Sequence, residues 1–179
     1  LMSGFGLLDL TKDQKVDENT LFHVGSTTKA FTAAALGILV EEGKLEWNDK
    51  VIDHLPEFRV SDPYVTRELT IIDLLSHRSG VQNTDLVWAR GNPSAELISR
   101  LPYAEQKSSL RSKFEYNNGM YIVAGKVIEA ISGQSFTDFV RERIFSPLGM
   151  NRTTGPIGEI SQRENVAVSH VKIAGTMTP

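Results

Sequence analysis

The chain has 179 residues, 40% of them hydrophobic and 23% charged, a composition that supports a buried core and argues against disorder. Its 19 Lys and Arg against 22 Asp and Glu leave a net charge of -3, too little positive charge to collect phosphate contacts, so no nucleic-acid partner is expected. The absence of cysteine excludes disulfides, thiolate metal sites and cysteine nucleophiles together, and no apolar run reaches the length of a membrane-spanning helix.

Residues 1–10 read as a strand carrying Gly4 and Gly6, followed by a polar turn from Thr11 to Asn19. Thr20 to Val24 is a second short β-prone run. A helix is predicted from Thr27 to Glu42, with Phe31, Ala34, Ala35, Ile38 and Leu39 at helical spacing, Ser26 as N-cap and Gly43 as the stop. Lys44 to Phe58 reads as turns with one short helix. Thr70-Ile71-Ile72-Asp73 has the form of a capping box, starting a helix to about His77 that Ser79-Gly80 ends. Another short helix is expected after Asn92-Pro93-Ser94. The next runs from Asn118 to Ile131, with Ile122, Val123, Val127 and Ile131 on one side and Ser132-Gly133 at its end. Ser135 caps a last helix, with Phe136, Phe139, Val140 and Ile144 inward and Pro147 terminating it. No repeat, low-complexity tract or linker is present. A helical middle with β-prone segments towards the beginning suits an α/β (α+β) protein whose helices are inserted between sheet strands. Both ends, Leu1-Met2-Ser3-Gly4 and Gly175 to Pro179, read as cut, so the lack of an export signal carries no message about localisation.

Two segments carry candidate chemistry. In Ser26-Thr27-Thr28-Lys29, the i and i+3 positions share a helix face, so the Lys29 amine can reach the Ser26 oxygen. The serine would sit in the positive end of the helix dipole, and burial there should depress the lysine pKa. Spacing alone is weak, since roughly one such match is expected by chance, and Ser169-His170-Val171-Lys172 is a second one without a helix start. On spacing alone, an N-cap serine with a surface lysine one turn on is the plainer reading. In Tyr116-Asn117-Asn118, a phenol and a carboxamide can face one space from a turn before a helix; the plainer reading has Tyr116 at the surface and Asn118 capping. The histidines, His23, His54, His77 and His170, form no ligand pair, so no metal is expected. His77 reads as a packed turn histidine hydrogen-bonded to backbone. Gly4 and Gly6 make no phosphate loop, and Arg141 to Arg143 reads as a solvated helix face.

The joint arrangement says more than its parts. Phe22-His23-Val24-Gly25 before Ser26-Thr27-Thr28-Lys29, then Phe31-Thr32-Ala33 and Val40-Glu41-Glu42-Gly43-Lys44-Leu45, closely resembles the nucleophile helix of the serine β-lactamase and penicillin-binding-protein superfamily. More narrowly it resembles the class C β-lactamase-related hydrolases, which include D-aminopeptidases, D,D-carboxypeptidases and family VIII carboxylesterases. The likeness continues through Leu55-Pro56-Glu57-Phe58, Ile71 to Gly80, Tyr116-Asn117-Asn118, Ser132-Gly133-Gln134 and Ile144 to Met150, in order and at family-like spacing. It implies a β-lactamase/transpeptidase-like fold: an antiparallel sheet flanked by helices, a mainly helical second region, and a site in the cleft between them. It further implies Ser26 as the acylated nucleophile, Lys29 as its hydrogen-bonded partner, Tyr116 as general base, and Asn118 orienting the substrate. No cofactor is implied, and the partner is a small-molecule or short-peptide substrate: an amide, a β-lactam or an ester.

The family's third motif, a Lys-Thr-Gly or His-x-Gly triplet on a strand that also gives the second oxyanion-hole amide, is nowhere in these residues. Residues 1–179 are therefore expected to be part of a β-lactamase-related domain. Residues 1–50 would hold sheet-edge strands and the nucleophile helix, 51–150 a mainly helical region, and 151–179 a return towards the missing sheet. The isolated chain would then be poorly stable and hydrolytically dead, with the stripe of Phe31, Ile38 and Leu39 short of a cover. The competing expectation is a catalytically silent scaffold or assembly protein. An intact set of Ser26, Lys29 and Tyr116 favours the enzyme, because a scaffold has no physical need for all three.

Overall fold

The computed structural model describes residues 3–83, 94–155, 157–160, 162–173 and 175–178. They fall into two units, one of Thr28–Ile144 and one formed by Leu1–Thr27 with Phe145–Pro179.

In the unit Thr28–Ile144 the first helix, α1, spans Thr28–Glu41. Its buried positions are Thr32, Ala35, Leu36 and Leu39, an i, i+3, i+4, i+7 stripe. The expected stripe is therefore rotated: Phe31 and Ile38 are only half-buried and Ala34 is exposed, whereas Leu39 is 1% exposed. Leu39 does not lack a cover. Gly43 ends the helix in the left-handed region at φ 68, with its N–H on Val40 O and the Lys44 N–H on Leu39 O. That paired geometry satisfies the last carbonyls and is open to glycine without strain.

Three short helices follow: α2 (Val51–His54), α3 (Pro63–Glu68) and α4 (Ile71–Leu75). Helix α3 is not among the elements expected from sequence, although Asp62-Pro63 signals it. The Asp62 carboxylate accepts the N–H groups of Tyr64 and Val65 at 2.7 and 3.3 Å, and Pro63 has the helical φ and no N–H to leave unpaired. At α4 the Asp73 carboxylate accepts the Thr70 N–H at 3.0 Å and the Thr70 hydroxyl at 2.7 Å, as a capping box requires. The helix stops at Leu75, short of His77, because His77 turns to φ 57.

Helix α5 is Ser94–Arg100; Asn92 and Pro93, expected to start it, lie outside the described residues. Helix α6, Asn118–Ser132, packs against α1, α2, α4 and α5. It buries Met120, Val123, Ala124, Val127 and Ile128, and each large apolar side chain so buried is worth roughly 1.5–3 kcal/mol. Helix α7, Phe136–Val140, is capped by the Ser135 hydroxyl accepting the Asp138 N–H and also packs on α1 and α6. A π-helical turn over Arg141–Phe145 follows. Arg143 is not simply solvated: it pairs with Glu42 at 2.5 Å and lies over the Phe139 ring.

Between α4 and α6 the chain passes over itself twice. Gly80 carries φ 74, and a Cβ there would lie 2.1 Å from Ser108 O. Only glycine fits, and its carbonyl accepts the Lys107 and Ser108 N–H groups. Arg111 then reaches back to Asp73, its Nε 3.0 and 3.1 Å from the two carboxylate oxygens and its Nη2 2.7 Å from Oδ2.

In the other unit the strands expected at residues 1–10 and 20–24 do not form among the described residues. Each is reduced to an isolated bridge, Leu7 with Lys15 and Leu21 with Val166. Gly6 at φ 82 and a turn at Asp9 fold the first segment back on itself, so no ladder can extend. The Asp9 carboxylate accepts the Thr11 hydroxyl and N–H at 2.7 and 2.9 Å, and these bonds, hydroxyl first, hold its pKa down at about 2. The ladder found among the described residues lies at the other end of the chain. Strands β1 (Val171–Ile173) and β2 (Thr176–Thr178) pair antiparallel with Lys172 opposite Met177, after a short helix α8 (Ile157–Ile160). Lys172 is thus on a strand, so Ser169 and Lys172 share no helix turn.

Replacing Arg111 by Ala should cost on the order of 2–3 kcal/mol, because it strips a buried carboxylate of its cation. Burial pushes the Asp73 carboxyl up, but the bonds from Arg111 and Thr70 outweigh it and hold it below its ordinary value of 3.8. A carboxyl so depressed stabilises the fold fully above that ordinary value and loses the contribution as pH falls through its folded pKa. Urea denaturation should therefore show a large Arg111→Ala deficit at neutral pH that shrinks in strong acid.

Candidate active site

The site begins at the entry to α1. A 3-10 turn over Gly25–Thr27 runs directly into the helix. It is pinned by Thr27, whose N–H and hydroxyl both bond Val24 O, at 3.1 and 2.5 Å. Ser26 is the exposed middle residue of that turn, and Lys29 is the second residue of α1.

Within the unit Thr28–Ile144, three of the four candidate residues come together. Lys29 Nζ donates to Asn118 Oδ1 at 2.6 Å and lies 4.8 Å from the centroid of the Tyr116 ring. It is also 5.2 Å from the ring of Tyr121, one helix turn beyond Asn118. A carboxamide oxygen and two ring faces all attract a cation, the rings by about 0.5–2 kcal/mol each. The lysine nitrogen is thereby held against a phenol and a carboxamide.

The residue that makes this possible is Asn117, whose role is not evident from sequence. Asn117, not Asn118, is the N-cap of α6: its Oδ1 accepts the Met120 N–H at 3.2 Å. Its Nδ2 donates to Val81 O and Gln82 O at 2.9 and 3.1 Å, and its N–H donates to His77 Nδ1 at 3.1 Å. Asn117 is fully buried, with both amide protons, the carbonyl and the backbone N–H engaged. With the cap supplied from one residue earlier, Asn118 at the first helical position can turn its carboxamide to Lys29.

His77 is, as expected, a packed turn histidine bonded to backbone. Its ring centroid lies 4.5 Å from that of Tyr116, 5.2 Å from Tyr121 and 5.4 Å, edge-on, from Phe114. Burial first, then the Lys29 charge, push the imidazole below its ordinary value of 6.5. Burial, with Tyr116 second, pushes the Tyr121 phenol up, and the Tyr121 hydroxyl donates to Leu75 O at 2.9 Å. Neither His77 nor Tyr121 was a candidate from sequence. The available signal was spacing: Tyr121 stands i+3 from Asn118, on the same helix face.

Set beside known proteins, this arrangement has clear company. A model of the Beta-lactamase family matches residues 1–173, and the chain belongs to that family. It is 37% identical over 160 residues to the unguisins hydrolase ungD' of Aspergillus campestris, a match covering 84% of this chain and 30% of that protein. The octameric penicillin-binding protein homologue from Pyrococcus abyssi superposes with a TM-score of 0.84 at 28% identity, over 99% of this chain and 42% of that one. The D-amino acid amidase from Ochrobactrum anthropi SV3, complexed with L-phenylalanine amide, superposes with a TM-score of 0.73 at 26% identity, over 94% and 48%. The fold is β-lactamase/transpeptidase-like, and the chain spans less than half the length of each of these relatives.

Asn117→Ala should lower stability by on the order of 2–3 kcal/mol, since it removes a helix cap and leaves buried carbonyl and amide groups unpaired. Thermal unfolding checks this. A change below about 0.5 kcal/mol, the range of ordinary surface substitutions, would show that the cap does not organise α6.

Proposed function

We propose that the protein is a serine hydrolase working through an acyl-enzyme on small amides, β-lactams or esters, with residues 1–179 forming part of its β-lactamase-related domain. The observation that carries this reading is the seat of Lys29, bonded to Asn118 Oδ1 beside the Tyr116 ring and standing three residues after Ser26 in the sequence. The names of the relatives support it, a hydrolase and an amidase among them.

In this reading the Ser26 Oγ attacks the substrate carbonyl carbon and gives up its proton towards Tyr116, with Lys29 beside the phenol to favour its negative form. The carbonyl π bond opens to an oxyanion, which the Ser26 N–H would stabilise as one oxyanion-hole donor. Collapse restores the carbonyl and breaks the bond to the leaving group, which takes the proton back from Tyr116. Water then attacks the Ser26 ester by the same proton route, releasing the acid and the free hydroxyl. Asn118 orients the substrate amide or carbonyl while holding Lys29. No metal or cofactor enters the scheme.

A fluorophosphonate probe applied to the whole protein should give a single adduct on Ser26 and none on Ser169, by peptide mass spectrometry. Ser26→Ala should abolish the adduct without unfolding the protein. No adduct in a folded protein would support the silent scaffold instead. Tyr116→Phe keeps the ring and loses the phenol, so labelling should slow by about 10²–10⁴ while packing survives. A loss under about tenfold would assign the base to Lys29 or to water.

A further inference from the structure

We infer that His77 is a positioning residue for Tyr116, holding the tyrosine's two neighbours with its main-chain carbonyl and its neutral imidazole, and losing the imidazole's hold when the ring is protonated. This rests on the serine-hydrolase reading above and adds to it a control residue outside the set Ser26, Lys29, Tyr116 and Asn118.

The clamp is visible in two hydrogen bonds. The backbone N–H of Glu115 donates to His77 O at 2.8 Å, and the backbone N–H of Asn117 donates to His77 Nδ1 at 3.1 Å. The residues on either side of Tyr116 are thus tied to one histidine, whose ring also lies 4.5 Å from the tyrosine ring. His77 is 7% exposed and held at φ 57, a region that residues with a side chain enter only when their surroundings require it.

The bond from Asn117 also fixes the state of the ring. An N–H donates to Nδ1 only if Nδ1 carries no proton, so the neutral ring has its proton on Nε2. Protonating Nδ1 would set two donors against each other. Of the elements packed around His77, α1 presents the Lys29 nitrogen, and the segment leading into α6 and its first turn present Tyr116 and Tyr121. Among the described residues no Asp or Glu pairs with the imidazole. A second cation beside Lys29 would therefore be uncompensated. Burial and Lys29 both act in this direction, keeping the ring neutral at and somewhat below its ordinary value of 6.5. The sign follows: the neutral clamp is intact above that value and fails as pH drops through the lowered pKa.

The test follows the rate at which the fluorophosphonate labels Ser26, against pH, in the whole protein. His77→Asn tolerates the left-handed backbone and can offer Oδ1 where Nδ1 stood, but cannot be protonated in this range. The unaltered protein should lose labelling in acid with one more protonation than His77→Asn below about pH 6.5. His77→Phe keeps a ring without an acceptor and should slow labelling at every pH by on the order of 10²-fold, the cost of misplacing a catalytic group by about 1 Å. If His77→Phe does not fold, imidazole ¹⁵N chemical shifts of the unaltered protein still decide. They should show the Nε2–H tautomer at neutral pH, and an Nδ1–H or charged ring there would overturn the inference. Parallel acid limbs in the unaltered and Asn proteins would overturn it too, as would full-rate labelling of His77→Phe. Labelling of Ser26 that fails in the unaltered protein overturns the parent reading and this one with it. Normal labelling with parallel limbs overturns His77 alone.

Discussion

Everything near the candidate site depends on one buried carboxamide finding a partner for each of its hydrogen-bonding groups. Asn117 is completely inaccessible, and an unpaired amide there would cost about 1–3 kcal/mol per group. Its four bonds, to Met120, Val81, Gln82 and His77, join the start of α6 to the loop that follows α4. Because α6 is also the helix on which α1, α2, α4, α5 and α7 pack, the residue that caps this core helix is also the one between Tyr116 and Asn118 in the chain. Misplacing Asn117 would disturb core and site together.

The chemistry proposed for Ser26 follows from what that constraint delivers. Asn118 is relieved of the cap and bonds Lys29, while Tyr116 faces the lysine nitrogen from its ring side. Lys29 is fixed within its own unit by two neighbours before any substrate is considered. In the proposed reaction such preorganisation would let a proton relay act without rearranging at the moment of reaction. The ion pair between the buried Asp73 carboxylate and the more exposed Arg111 supports the same loop from its other end, tying the cap of α4 to the segment that leads to Tyr116.

The sequence made the helices legible wherever a cap and an apolar period agreed. Thr70 with Asp73, Ser135, Gly43 and Gly133 each mark a boundary that the structure keeps. The face of α1 was misjudged by one position, because Phe31 and Ile38 outweigh Thr32 and Leu36 in any count of apolar residues, although packing selects the latter. Strand formation at the start of the chain was not legible, since β-prone residues form ladders only where a partner strand is offered. Three of the four site candidates, Lys29, Tyr116 and Asn118, lie together within the unit Thr28–Ile144. The support beneath them was missed for a physical reason. Whether Asn117 or Asn118 caps a helix depends on which of them meets His77 and the carbonyls of Val81 and Gln82, and those partners lie some 35 to 40 residues away in the chain.

If the proposed chemistry holds, Asn117 should act on it through Tyr116. A double-mutant cycle on the rate of Ser26 labelling tests it most directly, using Asn117→Ala and Tyr116→Phe singly and together, each rate normalised to the folded fraction. If Asn117 works by placing the phenol, its removal should slow labelling strongly when Tyr116 is present and hardly at all once the phenol is gone. Fully additive losses would contradict the account and leave Asn117 as a helix cap with no part in the reaction.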